Sequence, residues 1–193
     1  PRDDSVLAEA LKFKGYVKHP THSLKAGDYT DDTQMSIAVA EVLLTDGPFT
    51  RQKFAQAFVD VFCRDPRDGY SRGFQAILEQ ASKVPSPFHE FAKLVRPDST
   101  KNGACMRAVP IGVIKDIKEV LEVARVQASV THNTPEGIWS AQAVALMSHF
   151  ALYSSEPFSK MGEFLLREMP SVVATVPVWP HKISNATDVS HWN

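Results

Sequence analysis

Two carboxylates stand side by side at Asp31 and Asp32, with Thr30 before them and a helical pattern directly after. Adjacent carboxylates repel each other, so their presence needs a physical reason. One reason is a helix start, where threonine and acidic side chains satisfy free N–H groups and favour the positive end of the helix dipole. Another is a hard cation, because hydroxyl and carboxylate oxygens are ligands that Mg²⁺ or Ca²⁺ prefers. The residues alone leave both interpretations open.

Two later segments have the composition of ligand-binding loops. In "STKNGACMR" (residues 99–107), small residues and an Asn-Gly turn would let a ligand approach the backbone, while Ser99 and Asn102 offer hydrogen bonds. In "VTHNTPEG" (residues 130–137), His132 lies between two predicted helices. It would cap the first helix, lie at the surface as an ordinary polar residue, or hydrogen-bond a phosphate or a sugar hydroxyl. An ordinary connection between helices also explains each segment.

The elements that must position these residues are almost all helices. Apolar residues recur at helical spacing after the aspartates and again between residues 54 and 62. Thr50 is a predicted N-cap, and Thr134 followed by Pro135 is a predicted helix start. Only residues 172–179 resemble a strand, and a proline interrupts them. We therefore predict an all-α bundle of roughly seven or eight helices.

Length and composition limit the class of protein. The 193 residues fit one domain, which we predict to span residues 1–193. With 21 basic and 22 acidic residues the net charge is −1, so no strong field favours nucleic acid or an anionic membrane as a partner. Neither a membrane span nor a signal peptide is predicted, and two cysteines are typical of a reducing compartment. We expect a cytoplasmic protein.

Three segments, taken in order, resemble the ADP-ribosylglycohydrolase family. They are "TDDTQMSIAVAEVLL" from residue 30, "NGACMRAVPIG" from residue 102 and "THNTPEGIWSAQAVAL" from residue 131. The resemblance spans about Gly27 to Leu146. Family members include dinitrogenase reductase-activating glycohydrolase, the ADP-ribosyl-acceptor hydrolases and the J1-crystallins, and the family fold is all-helical.

The resemblance implies a hydrolase that holds two Mg²⁺ ions in a cleft. Such enzymes cut the N- or O-glycosidic bond that links ADP-ribose to a protein side chain or a small acceptor. Two cations can orient ribose hydroxyls and polarise a water molecule, and backbone N–H groups can hold a diphosphate. The matching residues are Thr30, Asp31 and Asp32 as metal ligands, Asp31 and Asp32 also as catalytic groups, and Ser99, Asn102, Gly103 and His132 as substrate-binding groups.

The sequence departs from the family pattern in two places. Family members usually carry a glycine-rich segment and then a glutamate before the aspartates, and Glu9 matches neither. The late Asp-x-Asp-Thr motif is represented only by Asp188 in "NATDVSHW". We therefore expect a domain that is incomplete at both ends, without terminal helices, and the ligands of the second Mg²⁺ are not found in this chain.

Three hypotheses follow. The first is a magnesium-dependent hydrolase that removes ADP-ribose from a modified target. The alternative is a catalytically inactive relative that binds ADP-ribose or serves a structural, crystallin-like role. A third is a helical protein whose acidic pair is only a cap. His19 and His22, and the tail residues His181, Asp188 and His191, are weak transition-metal candidates because no further ligand completes either set.

Overall fold

The computed structural model describes Lys12, Gly15 and residues 24–169. Within these residues the backbone forms eight α-helices and two 3₁₀ helices, and its one extended pairing is an isolated antiparallel bridge between Asp98 and His132. The α-helices are α1 (Asp31–Leu43), α2 (Arg51–Arg64), α3 (Arg72–Ala81), α4 (Pro87–Leu94), α5 (Gly103–Met106), α6 (Ile117–Ala128), α7 (Pro135–Tyr153) and α8 (Met161–Glu168). The prediction of an all-α fold is confirmed. The strand-like residues 172–179 lie outside the described residues.

Helices α1 and α2 pack against each other through the apolar stripes that their sequences predict. On α2, Phe54, Phe58 and Phe62 recur every four residues and are all buried. The Thr50 hydroxyl accepts a hydrogen bond from the backbone N–H of Lys53 at 3.2 Å, which confirms the predicted N-cap. The cap sets where α2 begins, and α2 packs along α1.

Helices α6 and α7 form the second packed pair. The predicted start of α7 is confirmed, because Thr134 Oγ1 accepts a hydrogen bond from Gly137 N–H at 3.1 Å and Pro135 occupies the first turn. In α6, Asp116 plays the same capping role for Glu119 N–H at 2.9 Å. At 19 residues α7 is the longest described helix. Neither it nor any other helix in residues 24–169 has the length and hydropathy needed to cross a membrane.

The apolar segment after the Asn-Gly turn forms the short helix α5 and then a 3₁₀ helix at Val109–Val113. This 3₁₀ helix packs closely on α7, and Gly112 makes the approach possible. A Cβ atom at residue 112 would lie 2.5 Å from Ser148 Cβ and 2.6 Å from His149 N. The contact fixes the end of the segment that carries Asn102 and Gly103.

Candidate functional site

A cleft of about 200 Å³ lies between the start of α1, helix α3 and the loops before α5 and after α6. It brings together residues from three segments that are distant in the sequence. The predicted site residues that line it are Asp31, Ser99, Asn102, Gly103 and His132. Thr30 and Asp32 flank Asp31 at the start of α1 without lining the cleft, and the Asp32 side chain is exposed.

The two predicted loops hydrogen-bond to each other. Asn133 N–H donates to the carbonyl of Pro97 at 2.7 Å, and Ser99 N–H donates to the carbonyl of Thr131 at 3.3 Å. These bonds surround the isolated bridge between residues 98 and 132. The loops before α5 and after α6 therefore form one wall of the cleft.

Asp31 begins α1 with its carboxylate half-buried at the cleft. Burial raises its pKa above the usual range, and the negative charge of Asp32 raises it further. Hydrogen bonds from the backbone N–H groups of both residues and from Thr30 act in the opposite direction. Thr30 is the N-cap residue, but its side chain makes no capping hydrogen bond. The like charges are thus incompletely compensated, and these three oxygen-bearing side chains suit a hard cation.

Gly69, in the loop between α2 and α3, approaches the same carboxylate. Its φ is +117°, and a Cβ atom there would lie 2.4 Å from Asp31 Oδ1 and 3.0 Å from Thr30 Cβ. Only glycine satisfies both the backbone conformation and the space. The sequence alone does not mark Gly69 as part of the site. An Asp-Gly pair signals a turn with positive φ, but it does not indicate what the turn will contact.

Gln34, one turn along α1 from Asp31, holds the α2–α3 loop in place. Its side chain is buried, donates to the carbonyl of Asp65 and accepts a hydrogen bond from the Tyr70 hydroxyl at 2.6 Å. Tyr70 lines the cleft. Burial, and then the charge of Asp31, raise the pKa of Tyr70 far above its usual range. The phenol therefore stays neutral, and its hydroxyl donates its proton to Gln34 Oε1.

His132 is 5% exposed and presents its ring to the cleft. Nδ1 lies 2.6 Å from Thr131 Oγ1, whereas Nε2 is buried and has no hydrogen-bond partner among the described residues. Burial, and then the positive charge of Arg107, lower the pKa of the imidazole to about 4. The ring is thus neutral near pH 7. A buried polar atom without a partner is uncommon, so this nitrogen is a candidate contact for a bound ligand or water molecule.

Two glycines form the slot that holds this imidazole. A Cβ atom at Gly103 would lie 2.8 Å from His132 Cε1, and one at Gly137 would lie 2.6 Å from His132 Cβ. Both distances are too short for carbon atoms in contact. Gly103 therefore contributes to the site by leaving room for the histidine.

Arg107 follows α5 and lies beneath the cleft with 1% of its surface exposed. Its guanidinium donates to Gln127 and Thr131, all at 2.7–3.2 Å, and lies 4.3 Å from the centre of the Phe58 ring. No carboxylate pairs with it among the described residues. Burial lowers its pKa to about 9, so it remains charged at neutral pH. Sequence reasoning missed Arg107, although a single arginine inside an apolar segment was an available signal.

The residues predicted to bind metal ions fall partly inside and partly outside the described part of the chain. Within residues 24–169, no group of three or more His, Cys, Asp or Glu side chains is close enough to hold a metal. The predicted metal ligands Thr30, Asp31 and Asp32 thus include only two carboxylates, with no further acidic, His or Cys side chain grouped with them in this range. The candidates at residues 19 and 22 and at residues 181, 188 and 191 lie outside the described part of the chain.

Comparisons with known proteins identify the family and several relatives of this chain. The sequence profile of the ADP-ribosylglycohydrolase family matches residues 3–190. ADP-ribosylhydrolase ARH3 of Homo sapiens is 32% identical over 139 residues, which cover 68% of this chain and 38% of that protein. ADP-ribosylhydrolase ARH3 of Danio rerio is 32% identical over 77% of this chain and 41% of its own length.

A bacterial protein is also similar. ADP-ribosylarginine hydrolase Tri1 of Pseudomonas putida is 24% identical over 78% of this chain and 42% of that protein. The chain thus spans about two fifths of the length of the curated relatives it matches.

Proposed function

Because this chain belongs to the ADP-ribosylglycohydrolase family, we propose that it binds ADP-ribose in the cleft and cleaves the glycosidic bond between ADP-ribose and a modified acceptor. The acceptor is a protein side chain or a small molecule. The names of the relatives, which are ADP-ribosylhydrolases, support this assignment. The cytoplasmic location and the extent of one domain over residues 1–193 stay predictions from the sequence.

The observation that carries the proposal is the convergence of three distant segments on one cleft. Asp31, the loop of Ser99 to Gly103 and His132 line the same cavity, although about 100 residues separate the first from the last. A pair of ordinary helix connections and a helix cap would have no reason to meet. A pocket with a few convergent polar groups is the usual form of a small-molecule site.

The walls of the cleft match the chemistry of a nucleoside diphosphate sugar. Phe74, Ile77 and Val95 give an apolar surface against which a base or sugar ring can pack. Lys101 lines the same cavity and offers a positive charge to a diphosphate. Ser99, Asn102, Gly103 and His132 would contact the diphosphate and the ribose. At about 200 Å³ the cleft encloses only part of such a ligand, since whole-ligand pockets usually exceed roughly 300 Å³.

We assign Thr30, Asp31 and Asp32 as the residues that hold Mg²⁺. The fit rests on their oxygen donors and on the incomplete compensation of the two like charges, which a divalent cation would offset. When bound, the ion would orient ribose hydroxyls and polarise a water molecule. The family resemblance implies two ions, and the described residues supply ligands for one.

The reaction breaks the bond between the anomeric carbon of ribose and the nitrogen or oxygen of the acceptor. The oxygen of a water molecule bonds to that carbon, and the acceptor leaves with a proton. Positive charge develops on the ribose ring as the bond breaks, and nearby carboxylates stabilise it. Asp31 suits this role because it lines the cleft and the close approach of Gly69 restricts where its carboxylate can lie.

A second candidate function is ADP-ribose binding without turnover. One observation favours it: among residues 24–169, no third His, Cys, Asp or Glu side chain joins Asp31 and Asp32 in a group that could hold a metal ion. Under this alternative the cleft and its binding residues keep their roles. Only the hydrolytic step is absent.

Calorimetry with ADP-ribose, with and without Mg²⁺, tests the proposal. We expect Mg²⁺-dependent binding that Asp31→Asn abolishes. Release of ADP-ribose from a modified substrate then separates the hydrolase from the binder, because only the hydrolase shows turnover.

Asp46→Asn is the matched control. Asp46 follows the other end of α1, and its side chain is exposed and remote from the cleft. This variant should bind ADP-ribose as the unmodified protein does. If the unmodified protein fails to bind ADP-ribose in the presence of Mg²⁺, the proposal is wrong for both candidates.

A further inference from the structure

The hydrogen bonds beneath the cleft have a direction that Arg107 fixes. A guanidinium group carries only donors, so each of its partners must accept. Arg107 Nη2 donates to Thr131 Oγ1 at 2.9 Å and to the carbonyl of Gln127 at 3.2 Å. Arg107 Nε donates to Gln127 Oε1 at 2.7 Å.

The orientation of Gln127 is fixed by the same rule. Because its Oε1 accepts from Arg107, its Nε2 must donate, and the carbonyl of Ala104 lies 3.0 Å from that nitrogen. Both partners of the amide are therefore satisfied in one orientation only. With Gln127 buried and bonded at both ends, the guanidinium has no freedom to reverse its bonds.

The Thr131 hydroxyl in turn determines which hydrogen-bonding role His132 Nδ1 takes. Its oxygen accepts from Arg107, and its single proton is then available for the nearest acceptor, which is His132 Nδ1 at 2.6 Å. If Nδ1 donated instead, the hydroxyl proton would have no acceptor among the described contacts of Thr131. The arrangement that satisfies every group leaves Nδ1 unprotonated.

We infer that Arg107, acting through the Thr131 hydroxyl, fixes His132 as a neutral imidazole that carries its proton on Nε2 and donates it into the cleft. Arg107 and Thr131 are thus positioning residues. The adjacent guanidinium charge disfavours a second proton on the ring. The lowered pKa of His132 agrees with this. Nε2 is the ring atom that is buried and lacks a partner among residues 24–169, so we expect a bound ligand to supply an acceptor there.

The inference sharpens the choice of ligand and rests on the proposed function for the ligand's identity. At Nε2 the site requires an oxygen acceptor, such as a phosphate or ribose hydroxyl oxygen of ADP-ribose. A ligand with an N–H group at this point would leave two donors facing each other. His132 consequently recognises the ligand as a fixed donor and does not shuttle protons.

The ¹⁵N chemical shifts of the imidazole rings in the ligand-free protein test the inference, because protonated and unprotonated ring nitrogens differ widely. We expect His132 to be protonated on Nε2 alone at neutral pH. His149 is an internal reference in the same spectrum. Its Nδ1 lies 2.9 Å from the carbonyl of Ile114 and must donate, so it should show a protonated Nδ1. Protonation of His132 on Nδ1 would overturn the inference.

Thr131→Val removes the hydroxyl while keeping the side-chain shape, and Thr131→Ser keeps the hydroxyl. We expect the valine variant to lose the preference for Nε2–H and to weaken ADP-ribose binding about three- to tenfold, the scale of one hydrogen bond. The serine variant should keep the tautomer and bind within about twofold of the unmodified protein. An unchanged His132 tautomer in a folded Thr131→Val variant would also overturn the inference. If that variant does not fold, the spectra of the unmodified and Thr131→Ser proteins remain decisive, since both must show Nε2–H.

The tautomer is measured without ligand, so its outcome is independent of the proposed function. A protein with the expected His132 tautomer that fails to bind ADP-ribose would refute the proposed function alone. A protein that binds ADP-ribose with His132 protonated on Nδ1 would refute only the inference about the tautomer.

Discussion

Two walls of the cleft differ in how their charged side chains are compensated. The acidic wall is Asp31, which lines the cleft, together with its neighbours Thr30, Asp32 and Gly69. The arginine wall is Arg107, Thr131 and His132, which line the cleft, with Gln127 bonded behind them. In the acidic wall, two like charges adjoin each other and the burial of one raises its pKa. In the arginine wall, a fully buried cation is surrounded by neutral acceptors and an aromatic face.

The difference shows which wall depends on a ligand. In the arginine wall, only Nε2 of His132 lacks a hydrogen-bond partner among the described residues. This wall should therefore contribute strongly to the stability of the unliganded protein. The acidic wall has uncompensated charge, so it should contribute little until a cation or substrate arrives. Removing a charge from each wall should therefore have unequal effects on folding.

The largest effect on stability is expected for Arg107→Met. Losing the guanidinium leaves the buried groups of Gln127 and Thr131 without their donor, which should lower the free energy of unfolding by about 3 kcal/mol. Urea denaturation measures this. Arg125→Met is the control, since Arg125 is exposed on α6 and its ion pair with Glu122 should contribute less than about 0.5 kcal/mol. Equal losses in the two variants would contradict the comparison.

Gly103→Ala should have the next largest effect. The added Cβ would lie 2.8 Å from His132 Cε1, in a slot that Gly137 and Thr131 prevent from widening. We expect a loss of about 1–2 kcal/mol in urea denaturation together with weaker ADP-ribose binding.

Gly162→Ala on α8 is its control. A Cβ there meets no atom within 4 Å, so helix propensity should make this variant more stable by about 0.5–1 kcal/mol. A stabilising effect at both positions would show that the histidine slot is not tight.

Lowering the pH should weaken the arginine wall through His132. Its pKa is about 4 in the folded protein and about 6.5 when unperturbed, so the unfolded chain binds more protons between these values. The contribution is complete above about pH 6.5 and is lost as the pH falls towards 4. Between pH 7 and pH 5.5 we expect the free energy of unfolding to decrease by about 1 kcal/mol from this residue.

His132→Gln isolates that contribution, because it should flatten the pH dependence of unfolding measured in urea. Arg96, Lys101 and Arg107 also line the cleft, and Arg107, with a pKa of about 9, stays charged throughout this range. Asp31 has a raised pKa and therefore contributes a slope of the opposite sign in both proteins. Identical pH dependence in the two proteins would contradict the prediction.

The smallest effect on folding is expected for Asp31→Asn. The substitution removes a favourable charge at a helix N-terminus and also removes the repulsion from Asp32, so the free energy of unfolding should change by about 1 kcal/mol or less. Urea denaturation in the absence of Mg²⁺ measures it. A loss as large as that of Arg107→Met would assign the acidic pair a structural role and would favour the cap hypothesis.

The sequence was sufficient for the parts of the fold that depend on local chemistry. Thr50 and Thr134 could be predicted as N-caps because a threonine before an apolar periodic run has few other roles. The apolar stripe of α2 was predictable for the same reason. The family resemblance then identified residues that the fold brings together, including Asp31 and His132.

The parts that could not be predicted depend on contacts between distant segments. An Asp-Gly turn could be anticipated at Gly69, but not its position against Asp31, which depends on how α2 and α3 pack. Likewise, the sequence around Arg107 does not indicate that Gln127 and Thr131 will receive its hydrogen bonds from 20 and 24 residues away. Pairing partners at such separations are set by tertiary structure.

The bond from Asn133 to Pro97 has a thermodynamic consequence for recognition. Since the loops before α5 and after α6 are joined by backbone hydrogen bonds, neither has to be ordered when a ligand arrives. The entropy of fixing them is lost once, during folding, and does not oppose association. Affinity at this wall should accordingly reflect the contacts themselves, with little entropic penalty for ordering the loops on binding.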